Sequence, residues 1–354
     1  MVGDEGAHRT QMAMVTLGEG NTPLIESVYV GPSLGLSRLF FKLENCNPSG
    51  SYKDRFVATE IARCLKIGAR ACFATSSGNT GSSLAAYCAR YGLRCFVVVN
   101  DTTPPGKLLQ MQAHHARIIR VEEFARSPEV TDRVFECLNR LSKANNIPLI
   151  VSAFHFCPVG MVGVEGISHE LIAQLSSGIE HVLVPLGGGG LFSAVCQGFQ
   201  SQGILRPRVH AVQPRNCSTV VAAYERGDDE IRSVGCTTRI SGLGVPIDLD
   251  ASLALRLLRQ CNGVGLAVDD EEVFEAQGLM LAKEGIFCEP AGAAAVAGLE
   301  QAIRKRVVSK DDTVVCLVTG HGFKDPESLQ RAAIDYSPVA IQEPELEKTL
   351  LAYL

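Results

Sequence analysis

The chain has 354 residues, 46% hydrophobic and 20% charged, which exceeds what one hydrophobic core usually organises and makes two packed lobes the expectation. The formal net charge is −5 and the basic residues are spread along the chain, so nothing points to nucleic acid or to an anionic membrane surface. Thirteen scattered cysteines with no CxxC pair fit small buried thiols in a reducing compartment better than a disulfide scaffold or a zinc module.

In chain order, Leu39–Leu43 reads as a strand and Asp54–Lys66 as a helix. Ala71–Ala74, Cys95–Val99, Ile118–Val121 and Leu149–Val151 read as strands. Helices Asn79–Tyr91, Pro105–His114 and Val130–Ala144 alternate with them. The grammar repeats with helix Gly166–Leu175, strand His181–Leu186, helix Leu191–Gln200, and strands Val209–Gln213 and Thr313–Thr319. Short apolar strands separated by helices predict an α/β fold with largely parallel sheets covered on both faces. Such sheets take ligands beyond the carboxyl ends of their strands. Glu345–Leu354 is predicted to be an amphipathic helix whose Leu346, Leu350 and Leu354 pack on the body or on a partner subunit. The polar, acidic start Met1–Gly6 is not a secretory signal, and no apolar run reaches the ~18–20 residues of a membrane span. The eight histidines form no ligand pattern, so no metal is expected.

Three turns stand where a strand hands over to a helix. Val182–Leu186 runs into Gly187, Gly188, Gly189 and Gly190 and then Leu191. Four adjacent glycines waste backbone entropy unless something approaches closely, and free N–H groups at a positive helix end make an anion cradle. It is neither a dinucleotide fingerprint, since Phe192 stands where GxGxxG needs glycine, nor a Walker A loop. In Thr75–Gly81, the hydroxyls of Ser76, Ser77 and Thr80 with Asn79 suit a carboxylate, although an ordinary N-cap uses the same residues. In Asn47–Arg55, Lys53 falls in the first turn of a helix, where the helix dipole favours the free amine that Schiff-base chemistry needs. A solvated lysine paired with Asp54 or Glu44 is the plainer alternative.

Together, Ser51–Arg55, Ser77–Gly81 and Gly187–Leu191 occur in the order found in fold type II (tryptophan synthase β-like) pyridoxal-phosphate enzymes, and the resemblance extends from Gly20 to Pro326. It implies a two-lobed α/β fold. Residues 51–153 would form a smaller lobe with the substrate-carboxylate loop, and residues 1–50 with 154–354 a larger lobe with the phosphate loop. It further implies pyridoxal 5'-phosphate as cofactor, held by Lys53 as a Schiff base that later moves the Cα proton. Gly187–Gly190 and Leu191 would hold its phosphate, Asn79 its ring oxygen and Thr319 would face its ring nitrogen. Ser76, Ser77 and Thr80 would hold the carboxylate of a small amino-acid substrate. Gly285–Ala291 and Val318–Pro326 resemble threonine synthase most. The all-glycine loop is similar to serine/threonine dehydratases and serine racemase, and Gly163 stands where threonine synthases usually carry a phosphate-binding arginine. The implied activity is β,γ-replacement from O-phosphohomoserine to threonine. The alternative is a serine/threonine dehydratase-type ammonia-lyase or a β-replacement synthase acting on a serine-derived substrate. The scattered thiols point to the cytoplasm, and a homodimer is what the resemblance suggests.

Overall fold

The computed structural model describes residues 15–204, 207–333 and 338–353. Its strands are β1 (Leu24–Glu26), β2 (Arg38–Leu43), β3 (Ala71–Ala74), β4 (Arg94–Asn100), β5 (Arg117–Val121), β6 (Leu149–Ile150), β7 (His181–Pro185), β8 (Arg208–Pro214), β9 (Gly265–Val268) and β10 (Thr313–Val318). They form two sheets, a six-stranded one ordered β1-β2-β10-β7-β8-β9 and a four-stranded one ordered β5-β4-β3-β6. Every pairing is parallel except β1 with β2.

The apolar runs are continuous because both strand faces are covered. In β10, Val315 and Leu317 join one core while Val314, Cys316 and Val318 join another on the opposite face, as the two-residue strand period requires. β7 divides likewise, Val182 and Val184 to one side and Leu183 to the other. The first of these cores also contains Val97 of β4 and Ile150 of β6, so the two sheets share one contiguous apolar interior. The outer face of the smaller sheet is closed by a separate cluster of Val98, Phe124 and Leu138.

The predicted helices form, some with shifted ends. The helix after β2 spans Lys53–Lys66, and the helix after β5 begins at Pro128 rather than Val130. Ser127 is the reason: its Oγ accepts from Val130 N at 3.3 Å, and proline is pre-organised for the first helical position. Between β8 and β10 the chain adds helices Val220–Arg226, Ala251–Gln260, Asp270–Leu279 and Pro290–Arg304, which the sequence reading leaves unassigned. Pro290–Arg304 is buried along most of its length, so its Ala- and Gly-rich run carries no polar stripe from which to read a helical period. The tail helix forms as Leu346–Tyr353, but none of its described residues is buried: Leu346 and Leu350 are exposed, contrary to the expected packing on the body. Leu354 lies outside the described residues.

Candidate active site

Parallel strands point their carboxyl ends the same way, so the turns after β3, β6, β7 and β10 converge. Between them lies a cavity of about 770 Å³, lined from the smaller sheet by Lys53, Ser76, Ser77, Asn79, Thr80 and Ser152. The larger sheet contributes Gly188, Gly190, Leu191 and Thr319.

Lys53 opens the helix Lys53–Lys66. Its Nζ donates to Ser152 Oγ at 2.6 Å, and Ser152 Oγ lies 3.0 Å from Thr80 Oγ1. The two carboxylates that could have paired with it are engaged elsewhere. Asp54, fully buried, accepts from Ser49 N and Ser49 Oγ at 2.6 Å each and from Ser83 Oγ at 2.5 Å. Burial pushes the Asp54 carboxyl up, and those hydrogen bonds pull it back. Glu44 bonds Arg55 through two 2.7 Å contacts, and Arg55 also reaches Glu170 at 2.6 Å. Glu170 in turn holds the fully buried Lys42 at 2.6 Å. Burial would raise the Glu170 carboxyl, but its bonds to Arg55 and Lys42 bring it to about 2. Buried charges survive by pairing, and here they pair with one another, leaving the Lys53 amine to the cavity.

The glycine turn is crowded. Gly189 has φ +101°, a conformation that favours glycine, and a Cβ there would lie 2.6 Å from Asp250 O. A Cβ at Gly187 would lie 2.7 Å from Gly242 O, and one at Gly190 would lie 3.0 Å from Met161 Cε. Gly187 and Gly189 therefore turn toward residues 242–250, while Gly188, Gly190 and Leu191 line the cavity at the start of helix Gly190–Ser201. Asp250 fixes this segment: its N donates to Gly188 O at 2.9 Å, and its carboxylate accepts from Phe154 N at 2.7 Å and His155 N at 3.1 Å.

Asn79 begins helix Asn79–Arg90 and donates Nδ2–H to Glu289 Oε1 at 2.7 Å. Burial pushes the Glu289 carboxyl up to about 7, opposed first by that hydrogen bond. Ser76 Oγ accepts from Gly78 N at 3.3 Å, shaping the turn that Ser77 and Thr80 share. Thr319 is buried at the end of β10 and faces the cavity.

All eleven residues singled out from the sequence thus fall in or directly beneath one cavity. Ser152, Glu289 and the 241–250 segment are additions. Ser152 carries no sequence signal beyond following a parallel strand, and Glu289 stands in a quoted motif without a role read from it. Gly163 packs on helix Lys53–Lys66, where even a Cβ would come within 2.3 Å of Thr59 Oγ1, so an arginine has no room there. Among the described residues no group of three or more His, Cys, Asp or Glu is placed to hold a metal ion, and no helix is long and apolar enough to cross a membrane.

A lysine amine, a helix-start glycine cradle and a buried hydroxyl around one cavity fit pyridoxal phosphate in their chemistry, since they match its aldehyde, phosphate and ring. Comparison with known proteins agrees. Residues 15–320 match the family model described as pyridoxal-phosphate dependent enzyme. The threonine synthase of Methanocaldococcus jannaschii is 33% identical over 342 residues, covering 94% of this chain and 82% of that protein. That of Synechocystis is 33% identical over 324 residues, covering 90% and 80%. The structure of maize serine racemase superposes with a TM-score of 0.75 at 22% identity, covering 89% of this chain and 92% of that one, a likeness of fold. The chain belongs to the pyridoxal-phosphate dependent enzymes, uses pyridoxal 5'-phosphate, and within that family is threonine synthase-like.

Proposed function

We propose that the protein converts O-phosphohomoserine and water to threonine and phosphate. The observation that carries this reading is the Lys53 amine, which among the described residues pairs with no carboxylate and is aimed with Ser152 into the cavity that the glycine and Ser76–Thr80 turns share. The threonine synthases matched over most of the chain supply the substrate class.

Bound pyridoxal phosphate supplies an electron sink for the pair left when a proton leaves Cα. The rest falls to this chain. Gly187–Gly190 and Leu191 present N–H groups to the cofactor phosphate, and Asn79, steadied by Glu289, is directed to the ring oxygen. Thr319 meets the ring nitrogen with a neutral hydroxyl, which holds a proton there less firmly than a carboxylate and so favours prompt departure of a leaving group. Ser76, Ser77 and Thr80 hold the substrate carboxylate at the start of helix Asn79–Arg90. Lys53 moves the Cα proton, with Ser152 and Thr80 orienting its amine. In this reading residues 51–153 are the smaller lobe and residues 1–50 with 154–354 the larger. The protein works as a homodimer in the cytoplasm, a compartment that suits thirteen free thiols.

The test is to incubate the cofactor-loaded enzyme separately with O-phosphohomoserine, L-serine and L-threonine and to follow phosphate, keto acid and amino acid. Phosphate and threonine from the first are expected. The all-glycine loop favours a second reading, a serine/threonine ammonia-lyase, and keto acid from serine or threonine without phosphate-dependent threonine formation would establish it instead.

A further inference from the structure

Beside the large cavity opens a smaller one of about 60 Å³, which shares Ser77, Gly78, Asn79 and Glu289 with it. A single water needs ~10–15 Å³ measured in this way, so the smaller cavity has room for a compact oxyanion. Two lysines form its walls. Lys107, in the first turn of helix Pro105–Ala113, donates to Ser241 Oγ at 2.9 Å. Lys324, in the turn after β10, donates to Gln110 Oε1 at 2.5 Å. Ser77 and Ser82 add hydroxyls from the other side.

The charge balance singles this cavity out. Lys107 and Lys324 are half-buried, and among the described residues neither enters an ion pair. Buried Lys42, by contrast, is paired with Glu170 at 2.6 Å. Glu289 is the one carboxyl among the lining residues and is already bonded to Asn79. The direct partners of both lysines are neutral oxygens, and the buried carboxyls of Glu289 and Asp54 act on Lys324, and Glu289 on Lys107, without a direct ion pair, so both ammonium groups remain open to an anion seated between them. Their place also matters, because the cavity adjoins the turn assigned to the substrate carboxylate and is continuous with the reaction space.

We propose that this cavity seats the phosphate of the substrate, with Lys107 and Lys324 as its cationic clamp before and during departure; the assignment rests on the reading of the substrate as O-phosphohomoserine. In net terms, a proton leaves Cβ, a Cβ=Cγ double bond forms, and the Cγ–O bond breaks with its electron pair on the departing oxygen. Hydrogen phosphate is released, and water then returns a hydroxyl to Cβ and a proton to Cγ. The lysines stabilise the charge that the departing oxygen gains.

The experiment uses the cofactor-loaded enzyme, with inorganic phosphate as probe. Wild type should bind phosphate in competition with O-phosphohomoserine. Lys107→Met and Lys324→Met should each weaken phosphate binding, and raise KM for O-phosphohomoserine, by about tenfold or more. The affinity for L-threonine, which carries no phosphate, and the absorbance of bound cofactor should stay at wild-type values. Lys107→Arg and Lys324→Arg, which keep the charge, should recover part of the loss. A methionine variant that does not load cofactor is replaced by the glutamine variant and read by the same criteria. Unchanged phosphate affinity in both neutral variants overturns the clamp, as does an equal loss of phosphate and threonine affinity, which would make the lysines supports of the fold. If wild type makes no threonine from O-phosphohomoserine, the proposed reaction fails on its own. The anion site is then kept if the neutral variants lose phosphate binding and discarded if they retain it.

Discussion

In the proposed reaction the chemistry turns on Lys53, and its surroundings explain why its amine is available. Asp54 is spent on Ser49 and Ser83, and Glu44 on Arg55, so the amine bonds the Ser152 hydroxyl and lies over the Tyr52 ring at 4.6 Å. Lys53→Ala should abolish the covalent cofactor absorbance and lower turnover by about a thousandfold or more while the far-ultraviolet spectrum is kept; steady-state activity near wild type would refute its assignment. Thr319 is the second residue with a separable effect. Thr319→Asp should hold a proton on the ring nitrogen, shift the visible spectrum of the bound cofactor and raise side reactions. A spectrum and product profile identical to wild type would remove the reason for placing Thr319 at the ring.

At the scale of elements, the turns around the cavity are held from behind by parts distant in sequence. The glycine turn is backed by residues 242–250, with Asp250 tying that segment to Phe154 and His155 near the end of β6. Gly189→Val would force a branched side chain into a φ of +101° and against Asp250 O. Backbone strain of this kind costs ~1–3 kcal/mol, so cofactor Kd should rise about tenfold or more, and an unaltered Kd would count against the cradle. The start of helix Lys53–Lys66 is anchored by the Arg55–Glu44–Glu170–Lys42 network, which joins it to β2 and to helix Gly166–Gln174. Glu170→Ala leaves Lys42 and Arg55 without that partner, and breaking a buried pair in this way costs about 3–5 kcal/mol. Denaturant titration should show that loss; a stability within about 1 kcal/mol of wild type would mean that water replaces the carboxylate.

At the scale of the whole molecule, stability should depend on pH through a buried relay at the amino-terminal ends of β7 and β8. His210 Nδ1 accepts from Val264 N at 3.1 Å, which leaves its Nε2 proton for His181 Nδ1 at 2.9 Å, and His181 Nε2 then donates to Asp312 at 3.0 Å. Burial, then the neighbouring His181, bring His210 down to about 3. An unfolded histidine takes up its proton near pH 6.5, so between those values the unfolded chain binds more protons and stability falls as pH falls. The loss from pH 7 to pH 5 should be about 2 kcal/mol from this group, and His210→Gln should flatten that slope in denaturant titrations. An equal slope in wild type and variant would place the pH dependence elsewhere. The sequence alone determined the alternating α/β grammar, because the apolar period and the glycine, hydroxyl and lysine chemistry of a strand-to-helix turn are local properties. Gly187–Gly190 was legible for that reason, whereas Lys53 and the Ser76–Thr80 turn, each with a plain local alternative, were singled out by the resemblance that the three turns carry together. Tertiary structure alone decided that Ser152 meets Lys53, that Glu289 backs Asn79, that the 241–250 segment closes on the glycine turn and that Lys107 and Lys324 face one cavity. Those partners lie 99 residues apart for Lys53 and Ser152 and 210 for Asn79 and Glu289, and no local pattern encodes a contact made only when two sheets pack.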